Sequence, residues 1–185
     1  MKEDLVIVER SFAEPVAFEE LQAREDRGAW CLEAHRVRFH RTYFSTDRRR
    51  MLCLYCAPDA EAVRLAQHKA GMPVEHVWSA QQIAPGPELY VSDALSVPRV
   101  WVVVERRFDP PINMEKLVSL MEGAESCLET YGVSYRGGHL AHDGTRMLCI
   151  FQAPDAEAVR QTNQDADMPV ERLWTATVHD PPQPA

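Results

Sequence analysis

A chain of 185 residues holds one or two small domains, either long enough to bury a core. Its 45% hydrophobic and 26% charged residues are the balance of a globular protein that packs in water. A net charge of −8, with Arg48 to Arg50 as the densest basic run, leaves no basic face for nucleic-acid phosphates, and no apolar stretch is long enough to span a membrane.

The segment Met1-Lys2-Glu3-Asp4 leads straight into a strand-like run without the apolar core of a secretory signal, so the expected setting is the cytosol. Residues 5–12 are rich in β-branched side chains and predict a strand. A helix carrying Leu21, Cys31 and Leu32 follows, then strands over 37–45 and 50–56, joined by a turn at Asp47. Pro58-Asp59 opens a second helix, which Gly71 closes, and residues 73–80 predict a fourth strand. The stretch 83–98, with Pro85, Gly86, Pro87 and Pro98, reads as a linker. The same series then starts again with a strand at 102–108. Its helix has a clear apolar stripe at Leu117, Leu120, Met121, Ala124, Cys127, Leu128 and Tyr131, ended by Gly132. The first copy has Arg24 and Glu25 where the second has Leu120 and Met121, so its helix is the poorer core former.

The second half is a copy of the first. Ala57-Pro-Asp-Ala-Glu-Ala-Val-Arg64 recurs intact as residues 153–160, Met51-Leu-Cys53 as 147–149, Met72-Pro-Val-Glu75 as 168–171, and Val8-Glu9-Arg10 as 104–106. The spacing never changes between the first strand and the last. Four segments are expected: a first repeat at 1–82, the linker at 83–98, a second repeat at 99–178 and a disordered tail at 179–185. Each repeat reads βαββαβ, a ferredoxin-like unit with two helices on one face of an antiparallel sheet. The other face needs a cover, which a second copy supplies. The expected fold class is therefore α+β: two ferredoxin-like βαββαβ repeats packed sheet to sheet as an intramolecular dimeric α/β barrel.

Strand alternation then nominates a chamber lining. Val6, Val8, Leu52, Leu54 and Val77 are placed against the helices. The opposite face is expected to carry Glu9, Cys53, Tyr55, His76 and Trp78, with Glu105, Cys149, Phe151, Arg172 and Trp174 in the second copy. Tyr43 and His139 occupy equivalent positions on the second strand. A buried carboxylate needs a partner, which makes Glu9 and Glu105 the most suggestive pair; a neighbouring arginine would satisfy them as well as a ligand would. Five cysteines, an odd number, argue against a disulfide framework and leave mostly buried free thiols. Glu9, Glu105, His139 and His142 are the candidate metal ligands. In a straight strand His139 and His142 point to opposite faces, so both ligate one ion only if the chain bends.

At Met51-Leu-Cys-Leu-Tyr-Cys-Ala-Pro-Asp-Ala-Glu-Ala-Val-Arg64, and again at 147–160, the chain resembles the bacterial nickel-binding ferredoxin-like domain family. Gly71-Met72-Pro73, Met168-Pro169 and the Val-x-Glu-Arg runs at Glu9 and Glu105 belong to the same pattern. The resemblance implies the ferredoxin-like fold paired into a barrel, and nickel or another divalent transition metal as cofactor. Two functions follow as expectations. One is a non-catalytic metal-binding protein; the other is an enzyme or carrier acting on a small molecule in the chamber between the two sheets. The partners expected are a metal ion or a small-molecule ligand, no nucleic acid and no membrane, with a further homo-oligomer left open.

Overall fold

The computed structural model describes residues 3–84 and 99–181. Its internal contacts divide the chain into two units, Met1–Gln81 with Thr177–Ala185, and Gln82–Ala176. Among the described residues no helix is long and apolar enough to cross a membrane.

The first unit runs β1 (Asp4–Ser11), α1 (Phe18–Arg27), α2 (Ala29–Ala34), β2 (Arg38–Ser45), β3 (Arg50–Ala57), α3 (Ala60–Lys69) and β4 (His76–Ile83). β1 pairs antiparallel with both β3 and β4, and β3 with β2, giving the order β4-β1-β3-β2. The Asp59 side chain accepts the Ala62 N–H at 2.8 Å and so caps α3. The core lies between sheet and helices, where Val6, Val8, Met51 and Tyr55 meet Leu21, Cys31 and Val63. The helix expected as one piece is two. The break falls at Gly28 here and at the equivalent Ala124 in the second unit, and a Cβ on Gly28 would stand 2.5 Å from the Cβ of Ala70, so the chain passes α3 more closely there than a side chain allows.

The second unit repeats the series with β5 (Val100–Arg107), α4 (Met114–Gly123), α5 (Glu125–Thr130), β6 (Ser134–Ala141), β7 (Arg146–Ala153), α6 (Ala156–Asp165) and β8 (Arg172–His179). Its pairings give the matching order β8-β5-β7-β6. Asn113 caps α4 through the Lys116 N–H and Asp155 caps α6 through the Ala158 N–H. Both second strands carry a bulge, between Phe39 and Arg41 and between Tyr135 and Gly137. The fold class is the expected one, two ferredoxin-like βαββαβ repeats of the dimeric α/β-barrel class.

Two boundaries move. The fourth strand starts at His76, not at Pro73, and runs to Ile83, whose side chain joins the second unit's core. His179 and Asp180, expected in a disordered tail, are held in place. The His179 ring stacks on Phe18 at 3.7 Å, and Asp180 accepts a 3.0 Å bond from Arg41. Thr177 donates to the Phe44 carbonyl at 3.4 Å. Residues 177–180 thus belong to the first unit's structure. Of the expected linker and tail, residues 85–98 and 182–185 lie outside the described residues.

Candidate functional site

Register decides which side chains share a face, because residues directly opposite in an antiparallel pair point the same way. Glu9 stands opposite Leu52 on one side and His76 on the other, while Ile7 stands opposite Trp78. All lie on the face away from the helices. The Trp78 indole donates to the Glu9 carboxylate at 2.6 Å. In the second unit Glu105 stands opposite Leu148 and Arg172. Its carboxylate accepts from the Trp174 indole at 2.8 Å and from Arg172 at 3.2 Å. The two copies differ here: an imidazole faces Glu9, and a guanidinium, permanently charged, faces Glu105.

Four residues expected on this face are on the other one. Cys53 stands opposite Val8 and Tyr55 opposite Val6, so both point under the helices and sit in the helix-side core. Cys149 and Phe151 do the same in the second unit. Leu52 and Leu54, expected under the helices, take the opposite face. The expected pattern is one residue out of step on this strand alone. Every position of 51–55 is apolar or nearly so, and a strand buried on both faces carries no polar marker to fix its phase. Cys53 and Cys56 also form a C-x-x-C spacing. Being three apart in a strand they point to opposite faces, and all the cysteines are free.

Among the described residues no group of three or more His, Cys, Asp and Glu side chains could hold a metal ion. The donor chemistry fits a metal unequally. Glu9 and His76 put a carboxylate and an imidazole directly across from each other. Glu105 has the Arg172 guanidinium where a cation would sit. His139 shares the face of Glu105, but both flank Leu148, which stands between them. His142 lies past the end of β6 and is exposed.

A second constellation, under the helices, was not among the sequence candidates. Arg10 is 2% exposed and donates to Cys53 Sγ at 2.8 Å, to Gln67 Oε1 at 2.6 Å and to Glu25 at 3.4 Å. The Tyr55 hydroxyl donates to the same Glu25 carboxylate at 3.0 Å. Burial pushes the Cys53 thiol and the Tyr55 phenol above their ordinary values, with Arg10 opposing both shifts. Arg106 is the second unit's counterpart. It reaches Cys149 Sγ at 3.2 Å, the Pro169 carbonyl at 2.6 Å and Asn163 Oδ1. The signal for these arginines was present in the sequence. Arg10 falls in alternation with Val6 and Val8, on the face those residues assign to the helices.

The profile of a family described as "Nickel responsive protein SCO4226-like" matches residues 7–79 and again 103–175. A search of curated proteins finds no match. Among solved structures, chlorite dismutase from Candidatus Nitrospira defluvii in complex with imidazole is similar at a TM-score of 0.54 and 11% identity, covering 96% of this chain and 92% of that one. A mutant of the same enzyme in complex with cyanide gives 0.54 at 12% identity, with 96% and 92% covered. At these identities the likeness shows a shared fold.

Proposed function

Because the chain belongs to the nickel-responsive SCO4226-like family, over both of its repeats, we propose that it binds a divalent transition metal, nickel first, and does so without catalysing a reaction. The observation that carries this reading is the placement of Glu9 directly across from His76. Imidazole and carboxylate together suit nickel, copper and zinc, so ligand type alone does not select the metal. The first unit is the better seat. In the second, Arg172 already neutralises Glu105, and a bound dication would have to displace it. His139 and His142 are the remaining candidate donors, and neither stands directly across from a carboxylate in the described pairings.

Calorimetric titration of the metal-stripped chain with Ni²⁺ tests the reading. Saturable binding is expected, with His76→Ala and Glu9→Gln each weakening it about tenfold or more, as loss of a ligand or its close support does. Glu105→Gln and His139→Ala are expected to leave it within a factor of about two, since a distant, independent site adds little. Binding lost in the latter pair and kept in the former would move the site to the second unit. No saturable binding of Ni²⁺, Cu²⁺ or Zn²⁺ would overturn the proposal.

A further inference from the structure

The two helix-side clusters are the same construction with one part missing. Gln67 in the first unit is Asn163 in the second, Cys53 is Cys149, and Arg10 is Arg106, all held in kind. The carboxylate is not: Glu25, which answers both Arg10 and the Tyr55 hydroxyl, is replaced by Met121. Among the described residues Arg106 meets only neutral groups, the thiol of Cys149, a carbonyl and an amide oxygen. It is 2% exposed. A buried cation without a countercharge is a costly arrangement.

The hydroxyl has also moved. Phe39 and Tyr55 of the first unit become Tyr135 and Phe151 of the second, and the ring pair keeps its packing, with centroids 6.0 Å apart in one and 5.5 Å in the other. The relocated Tyr135 hydroxyl lies 2.5 Å from where a Cβ on Gly138 would stand, so the glycine leaves room for it. The first unit has Thr42 at that position, bonded to Cys53. The Tyr135 hydroxyl is buried and has no hydrogen-bond partner. Burial also holds its phenol far above the ordinary value, so it is a donor and not an anion.

Tyr135, Arg106 and Met121 line one cavity of about 30 Å³. The first unit closes its helix layer at Gly28 against Ala70; the second has Ala124 and Ala166 there, both lining the cavity, and two methyl groups cannot repeat that approach. The donor count fixes the ligand's character. A guanidinium has five N–H groups, and three of Arg106's are used. Two remain, together with the Tyr135 O–H. Arg106 and Tyr135 both line this largely apolar space, and its other polar residues are engaged elsewhere, Thr162 with the Ala158 carbonyl and Asn163 with Arg106 and the Val159 carbonyl.

We propose that this cavity binds a short-chain monocarboxylate, whose acceptor-only charged end takes the role in the second unit that the Glu25 carboxylate has in the first. A water needs roughly 10–15 Å³ of such space, so the volume suits formate or acetate. Propionate would fit by movement of the flexible Met121, Met147 or Met168, and benzoate would not.

The test uses the full chain at constant ionic strength. Formate, acetate, propionate and benzoate are titrated against sodium chloride as control, with thermal unfolding and the methionine methyl NMR signals as readouts. Saturable stabilisation by acetate, with shifts at Met121 and Met147, is expected. Tyr135→Phe should weaken it about tenfold, the loss of one hydrogen bond to a charged group, and this variant keeps the ring packing. Met121→Glu should raise the midpoint without ligand and abolish the acetate response, because it restores the first unit's arrangement. Acetate acting no differently from chloride, or Met121→Glu and Tyr135→Phe binding it as the parent does, would overturn the proposal.

Discussion

Glu25 shows how far a single side chain can depart from what its neighbours in sequence suggest. It sits at an apolar stripe position of a helix, and a charge there reads as a flaw in the stripe. In the fold it is the partner of a buried guanidinium and a buried phenol. Glu25→Ala should therefore destabilise the chain by about 2–3 kcal/mol, because it strands Arg10 without its countercharge. Urea unfolding would measure this, and Met121→Ala in the second unit should show only the loss of apolar contact. On one strand the residue-level signal is missing in principle. Periodicity placed Glu9, His76 and Trp78 on a common face from polar markers on their own strands. Nothing on residues 51–55 distinguishes one face from the other, so alternation alone puts Cys53 and Tyr55 a step out of their paired register. The phase comes from pairing with β1, which a strand's own sequence does not encode.

The elements themselves were largely legible, since most are announced by local chemistry. Asp59 and Asp155 mark helix starts by capping them, and the hairpin turns carry Asp47 and Asp143-Gly144. The helix break is not legible, because it falls at Gly28 in one unit and at Ala124 in the other, and the need for glycine at 28 depends on what approaches it. What approaches is Ala70, and Gly28→Ala is expected to cost about 1–3 kcal/mol by overpacking. Ala124→Gly should cost about 1 kcal/mol at most, the ordinary propensity difference. Thermal unfolding of the two variants side by side tests whether the helix layers differ as described.

For the molecule as a whole, the duplication was the plainest thing in the sequence, and both family matches keep the same offset between the copies. What duplication conceals is that the units are not the repeats. Residues 177–180 complete the first unit, and two of their groups make it sensitive to acid. Burial holds His179 below its ordinary value, and the hydrogen bond from Arg41 does the same for Asp180. In the unfolded chain these groups titrate near ~6.5 and ~3.9. The contribution of His179 is therefore complete above about pH 6.5 and is lost as the pH falls through its folded value. That of Asp180 is complete above about pH 4 and is lost below it. Hydrogen exchange across pH 7 to 4 should show the backbone around Phe44 and Thr177 loosening before β3 or β7, and His179→Phe should remove the upper step. The same strand ending sets a clock on synthesis. Residues 1–81 leave the ribosome first, yet their unit lacks residues 177–180 for about a hundred residues more, roughly 5–20 s of translation. The second unit, Gln82–Ala176, has all of its residues as soon as Ala176 is added, so the half of the protein made first is the last to be finished.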